Sequence, residues 1–89
     1  MRRSRADIVA AILEIARGGA IKTRIMYRGF LSNPQLKEYL DLLIDCGLVE
    51  YSNEMGQYHT TEKGLQFLRF YEDMGRQIAP KEKRATMTN

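Results

Sequence analysis

KTRIMYRGFLSNPQLKEYLDLLIDCGLVE, residues 22–50, decides how this chain folds. Within it, Ser32 is followed three residues later by Gln35, the reciprocal pair that satisfies unpaired amide donors at a helix start. Pro34 falls in the first turn, where its missing N–H costs nothing. Leu36, Leu40, Leu43 and Ile44 then recur at helical spacing, and Gly47 suits the left-handed position that ends a helix. The pattern predicts a helix over 33–46 with that stripe facing inward. Just upstream, Thr23 offers an N-cap for a short helix over 24–28 carrying Ile25 and Met26, which leaves Gly29-Phe30-Leu31 as a three-residue turn. Two helices joined by such a turn, the second long and well capped, form a helix-turn-helix.

Outward from this stretch the elements follow in an informative order. Leu48-Val49-Glu50-Tyr51 reads as a strand, Ser52 to Gly56 as a turn, and Gln57-Tyr58-His59-Thr60 as the returning strand of a hairpin, the wing. Thr61 caps a last helix that should run to about Ala79, because Pro80 cannot continue it. On the N-terminal side, Ser4 and Asp7 resemble a capping box. Ile8, Val9, Ile12, Leu13, Ile15 and Ala16 then follow helical spacing to a stop at Gly18-Gly19, giving a helix over 4–17. Ala20-Ile21 is long enough only for a single bridge to a sheet. The expected fold is mainly α with a small β-hairpin: a winged helix-turn-helix over residues 1–60, a long dimerisation helix over 61–79 and a polar tail over 80–89.

With 89 residues the chain fits one compact domain, since a chain this short buries only about 60% of its unfolded surface. Sharing a hydrophobic surface with a second copy is a common remedy at this size. The last helix supplies a candidate. Leu65 and Leu68 suit the domain core, whereas Phe67, Tyr71, Met74 and Ile78 follow coiled-coil spacing and are expected to form a homodimer seam. A helix over 61–79 would be about 28 Å long, more than the small domain beneath it would cover.

The charge is segregated along the chain. Residues 1–28 hold Arg2, Arg3, Arg5, Arg17, Lys22, Arg24 and Arg28 against Asp7 and Glu14. Residues 29–60 hold Lys37 against Glu38, Asp41, Asp45, Glu50 and Glu54. A basic N-terminal end points to a polyanion. In a helix-turn-helix the first helix braces the phosphate backbone while the leading turn of the second faces base edges in the major groove of double-stranded DNA. Asn33, Gln35 and Lys37 are the expected base-facing residues, since Asn and Gln make paired hydrogen bonds to adenine and Lys reaches guanine acceptors. Lys22, Arg24 and Arg28, with Arg2 and Arg3 on the N-terminal arm, are the expected phosphate contacts. Against this, Glu38, Asp41 and Asp45 lie on the side of the third helix opposite its apolar stripe and would repel phosphates. They support an alternative reading as a protein-binding adaptor. The wing tip has no Lys or Arg, so the wing is expected to be structural, with Tyr51 and Tyr58 flanking the hairpin and packing on the domain.

Catalysis is not expected. The single cysteine, Cys46, and single histidine, His59, have no partner nucleophile, base or metal set, so neither a cofactor nor a metal is implied and both are read as structural. No small-molecule ligand is evident. MRRSR followed by an apolar stretch does not read as a signal peptide, because Asp7, Glu14 and Arg17 punctuate it. No stretch is long enough to span a membrane. A cytoplasmic, nucleoid-associated location is expected.

Three stretches, KTRIMYRGFLS (22–32), QLKEYLDLLIDCGLVE (35–50) and YHTTEKGLQFL (58–68), resemble the archaeal winged-helix DNA-binding proteins of the Sulfolobus ten-kilodalton type. The likeness extends over about residues 6–78. It implies a C-terminal helix that pairs antiparallel with its twin, and a function in chromosomal DNA binding or transcriptional regulation. Lys22, Thr23, Arg24 and Arg28 match that family's basic motif on the second helix. Ser32, Gln35 and Lys37 match the start of its recognition helix. The chain departs from the pattern in its wing tip, which has no basic residue, its acidic third helix and Pro80.

Overall fold

The computed structural model describes residues 3–77. Arg2, Ile78, the expected helix end near Ala79, the stop at Pro80 and the tail over 80–89 lie outside the described residues. Four helices and one hairpin follow in the order α1 (Arg5–Ile15), α2 (Lys22–Gly29), α3 (Asn33–Asp45), β1 (Val49–Ser52), β2 (Gln57–Thr60) and α4 (Glu62–Gln77).

Local chemistry sets most boundaries. Ser4 and Asp7 form the reciprocal box at the start of α1, and Ser32 and Gln35 form another at the start of α3. Such a cap is worth about 1 kcal/mol. Gly47, at φ +75, ends α3, with its own N–H on Ile44 and the Leu48 N–H 2.9 Å from the Leu43 carbonyl. At the other end of the wing, Thr61 accepts the Gly64 N–H through its hydroxyl oxygen at 3.1 Å and donates to the Gly47 carbonyl at 2.6 Å. One side chain thereby caps α4 and ties it to the end of α3.

The start of α2 differs from the sequence reading. The helix begins two residues earlier, at Lys22, with extended Ile21 as its N-cap and no side-chain cap bond. Thr23 therefore lies inside the first turn rather than capping it. The cause is the preceding residue. Ala20 exchanges backbone bonds of 2.9 and 2.8 Å with Tyr58 on β2, and that bridge holds the chain extended up to the point where it must turn. The far end of α2 also differs, because Gly29 is the last helical residue and Phe30, at φ 55, takes the left-handed conformation. Gly29 is the buried member of the pair, and a Cβ there would stand 3.3 Å from Leu31 Cδ1.

The core gathers Val9, Ile12 and Leu13 of α1, Ile25 of α2, Leu36, Tyr39, Leu40 and Leu43 of α3, Val49 of β1 and Leu68 of α4. Ile44, expected in the α3 stripe, is instead 40% exposed. Tyr39 takes the inward position, since a straight α-helix repeats every 3.6 residues and the stripe drifts around it. The hairpin pairs β1 with β2 antiparallel, each strand beginning or ending within one residue of its expected place. Tyr51 and Tyr58 face each other across it, their ring centroids 4.8 Å apart; Tyr58 packs against the core as expected, whereas Tyr51 lies outside it and is 46% exposed.

Candidate nucleic-acid interface

The leading end of α3 is open to solvent: Ser32, Asn33, Pro34, Gln35 and Lys37 are all exposed. Their chemistry is unequal. The Gln35 side-chain oxygen accepts the Ser32 N–H at 3.0 Å, and Ser32 Oγ accepts the Gln35 N–H at 3.3 Å. While that box is closed, the Gln35 amide is turned back toward the Ser32 backbone with one of its two acceptor lone pairs in use, so opening the cap would free it for paired bonds to adenine. Lys37 donates to Asp41 at 3.3 Å in an exposed pair one turn along the helix. Asn33 is the amide at the leading end that no intramolecular bond occupies among the described residues.

Behind this end lies α2, whose outward side carries Thr23, Arg24, Tyr27 and Arg28. The helix holds Lys22, Arg24 and Arg28 and no acidic residue, and none of the three forms an ion pair among the described residues. These cations are thus exposed on the helix that leads into α3, with Arg28 two residues before the turn at Phe30.

Arg3 has another occupation. Its guanidinium donates to the Gly29 carbonyl at 2.7 Å and the Phe30 carbonyl at 3.1 Å. A cation at the C-terminal end of a helix satisfies orphan carbonyls and complements the helix dipole. Arg3 thereby braces the left-handed turn between α2 and α3 from 26 residues away in sequence. Arg5, two residues on, lies over the Tyr39 ring at 5.3 Å. Arg3 and Arg5 together therefore touch both helices of the motif.

On α3 the acidic side chains Glu38, Asp41 and Asp45 are exposed on the face away from the core. The wing tip at Asn53, Glu54 and Met55 is exposed and uncharged apart from Glu54. No group of acidic, His and Cys residues suited to a metal occurs among the described residues, and no described helix is long and apolar enough to cross a membrane.

Along α4 the expected seam divides. Phe67 and Tyr71 are half-buried against the domain's own core, their rings stacked at 6.4 Å. The Tyr71 hydroxyl donates to Asp7 at the start of α1. That bond, with the Ser4 amide and hydroxyl beside it, holds the Asp7 carboxyl below the usual carboxylate range, and the carboxylate in turn pushes the Tyr71 phenol up. Met74 is 47% exposed, and Phe70, one turn before it, is 63% exposed. Phe70 and Tyr27 were not singled out in the sequence. Each shares a helix face with a candidate site residue, Phe70 four residues before Met74 and Tyr27 three residues after Arg24, and that spacing is the signal that finds them.

A family model described as winged helix-turn-helix matches residues 2–79. Among solved structures the fold is similar to that of Sso10a-2, described as a DNA-binding protein from Sulfolobus solfataricus. The match has a TM-score of 0.73 and 24% identity and covers 98% of each chain. That protein is of the kind the three sequence stretches resemble, and at this identity the likeness is one of fold. No curated protein matches the chain.

Proposed function

The chain belongs to the winged helix-turn-helix family, and on that premise we propose that it is a non-catalytic protein that binds double-stranded DNA at the nucleoid. One observation carries this reading: Arg24 and Arg28 stand exposed and unpaired among the described residues, on the helix that leads through the turn at Phe30 to the open end of α3. Guanidinium groups so placed release counterions when they meet phosphates, which is the main source of affinity for duplex DNA. The similar protein from Sulfolobus solfataricus is itself described as DNA-binding.

Between regulator and architectural protein, the side-chain geometry favours the second. Gln35 is held in its cap and Lys37 is paired with Asp41, so Asn33 is the best-placed side chain for reading a base edge. One good bidentate contact is worth about 1–3 kcal/mol of discrimination, too little to single out a site in a genome. Titration of a fluorescent duplex at stepped salt tests the proposal. Affinity should fall steeply as salt rises, with little difference between duplex sequences. A failure to bind at low salt overturns it. The acidic face of Glu38, Asp41 and Asp45 favours the second reading, a protein-binding adaptor, which recovery of a basic partner without retention on duplex DNA would support.

We also propose a homodimer formed through α4. Its support is the exposed pair Phe70 and Met74, which extends the apolar side of the helix beyond what α1 covers. Sedimentation of the wild-type chain should give a dimer at micromolar concentration, and Met74→Asp should give a folded monomer. A wild-type monomer under those conditions removes the dimer.

A further inference from the structure

An open groove of about 550 Å³ runs between the outward side of α2 and the segment that leads into it, with Gln57 of β2 at its far wall. Ile21, Arg24, Tyr27 and Arg28 line it. Three properties define what would fit. Arg24 and Arg28 have no carboxylate partner among the described residues, so the occupant carries negative charge. Tyr27 is 74% exposed and Ile21 is 48% exposed, so the same wall offers an aromatic face and aliphatic surface. An anion without a flat apolar part would leave that wall unused. Gln57 adds an amide, its oxygen lying 2.5 Å from where a Cβ on Gly19 would be. Only a glycine at this place, at φ +101, lets the amide lie against the backbone.

A nucleotide has all three complements: a phosphate, a flat base and polar base edges. The groove is also long and open enough for a strand to lie across it. A duplex cannot use it fully, because its bases are paired and stacked inside the helix and present no free face to Tyr27. We propose that the groove beside α2 binds single-stranded nucleic acid, with an unpaired base stacked on Tyr27 and the flanking phosphates on Arg24 and Arg28. Stacking on an exposed aromatic beside cations is the general means by which proteins hold single strands with little sequence preference. This site shares Arg24 and Arg28 with the duplex-binding reading but adds Tyr27, and that difference separates the two.

The test is fluorescence anisotropy of the full chain with a labelled strand of about 12 nucleotides, as DNA and as RNA, and with the corresponding DNA duplex. Tyr27→Ala should weaken strand binding roughly tenfold or more, the loss expected for a stacked base. Tyr27→Phe, which keeps the ring, should bind the strand nearly as wild type, and Tyr27→Ala should weaken strand binding several-fold more than it weakens duplex binding. Comparison of the DNA and RNA arms shows which strand chemistry the groove prefers. The proposal is overturned if the wild-type chain does not bind the strand, if Tyr27→Ala binds it unchanged, or if Tyr27→Ala weakens strand and duplex equally. It is also overturned if polyglutamate displaces the strand as well as unlabelled oligonucleotide does, which would mark a general anion surface. Binding to the strand with no binding to the duplex defeats the duplex reading and leaves this one standing.

Discussion

Gly64→Ala is expected to lower the thermal midpoint of this protein by roughly 8–16 °C. Gly64 is buried in the first turn of α4, and a Cβ there would lie 2.3 Å from the Leu48 carbonyl oxygen and 2.6 Å from Thr60 Cγ2. The oxygen cannot retreat freely, because it accepts the Thr61 N–H at 3.0 Å, the bond that docks the start of α4 onto the end of α3. Adding one methyl group must therefore push the helix away from the hairpin and lengthen that bond. Overpacking typically costs 1–3 kcal/mol and more where backbone is involved, and about 3 kcal/mol corresponds to roughly 12–24 °C for a domain of this size. The higher helix propensity of alanine returns about 1 kcal/mol, which leaves about 2 kcal/mol, or roughly 8–16 °C. Calorimetry checks the shift, and a midpoint within a few degrees of wild type would show that α4 does not approach the hairpin this closely. At Gly75, where nothing lies within 4 Å of a Cβ, the same substitution should be neutral or stabilising.

The second large effect is on binding. Arg24→Ala combined with Arg28→Ala should weaken duplex binding roughly 50-fold at about 0.1 M salt, and should flatten the plot of log affinity against log salt by about two units. Each phosphate contact contributes close to 0.9 to that slope, so losing one near 0.1 M salt removes almost a factor of ten. The loss should be similar for every duplex sequence, because phosphate contacts position a protein without reading bases. Folding should be unaffected, since both side chains are exposed and form no ion pair among the described residues. By contrast, Arg3 should behave as part of the fold, because its donors are already on the carbonyls of Gly29 and Phe30.

What the sequence makes legible here is what depends on neighbours three to five residues apart. The Ser32–Gln35 and Ser4–Asp7 boxes, the left-handed Gly47 and the Thr61 cap are all local, and each is found where its residues imply. The start of α2 escapes such reading because it is set by the bridge between Ala20 and Tyr58, whose partner lies on the wing. Arg3 escapes it for the same reason. Nothing within its own segment shows that its guanidinium will reach the turn at Phe30 rather than a ligand. Gln35 is a different case, because it carries both signals, a capping partner and an adenine-reading amide, and the geometry uses its oxygen for the first. The division of α4 into Phe67 and Tyr71 against the core and Met74 outside it depends on where α1 lies, which apolar spacing along one helix cannot specify.

Everything functional in this account depends on one face, built from the outward side of α2 and the first turn of α3, being the surface that meets a duplex. Titrating a short duplex into isotopically labelled protein and following backbone amide shifts tests it directly. The largest shifts should fall on Lys22–Arg28 and Ser32–Lys37, with Glu38–Asp45 and the wing tip little changed. Shifts centred on the acidic side of α3, or spread evenly with none concentrated at Arg24 and Arg28, would contradict it.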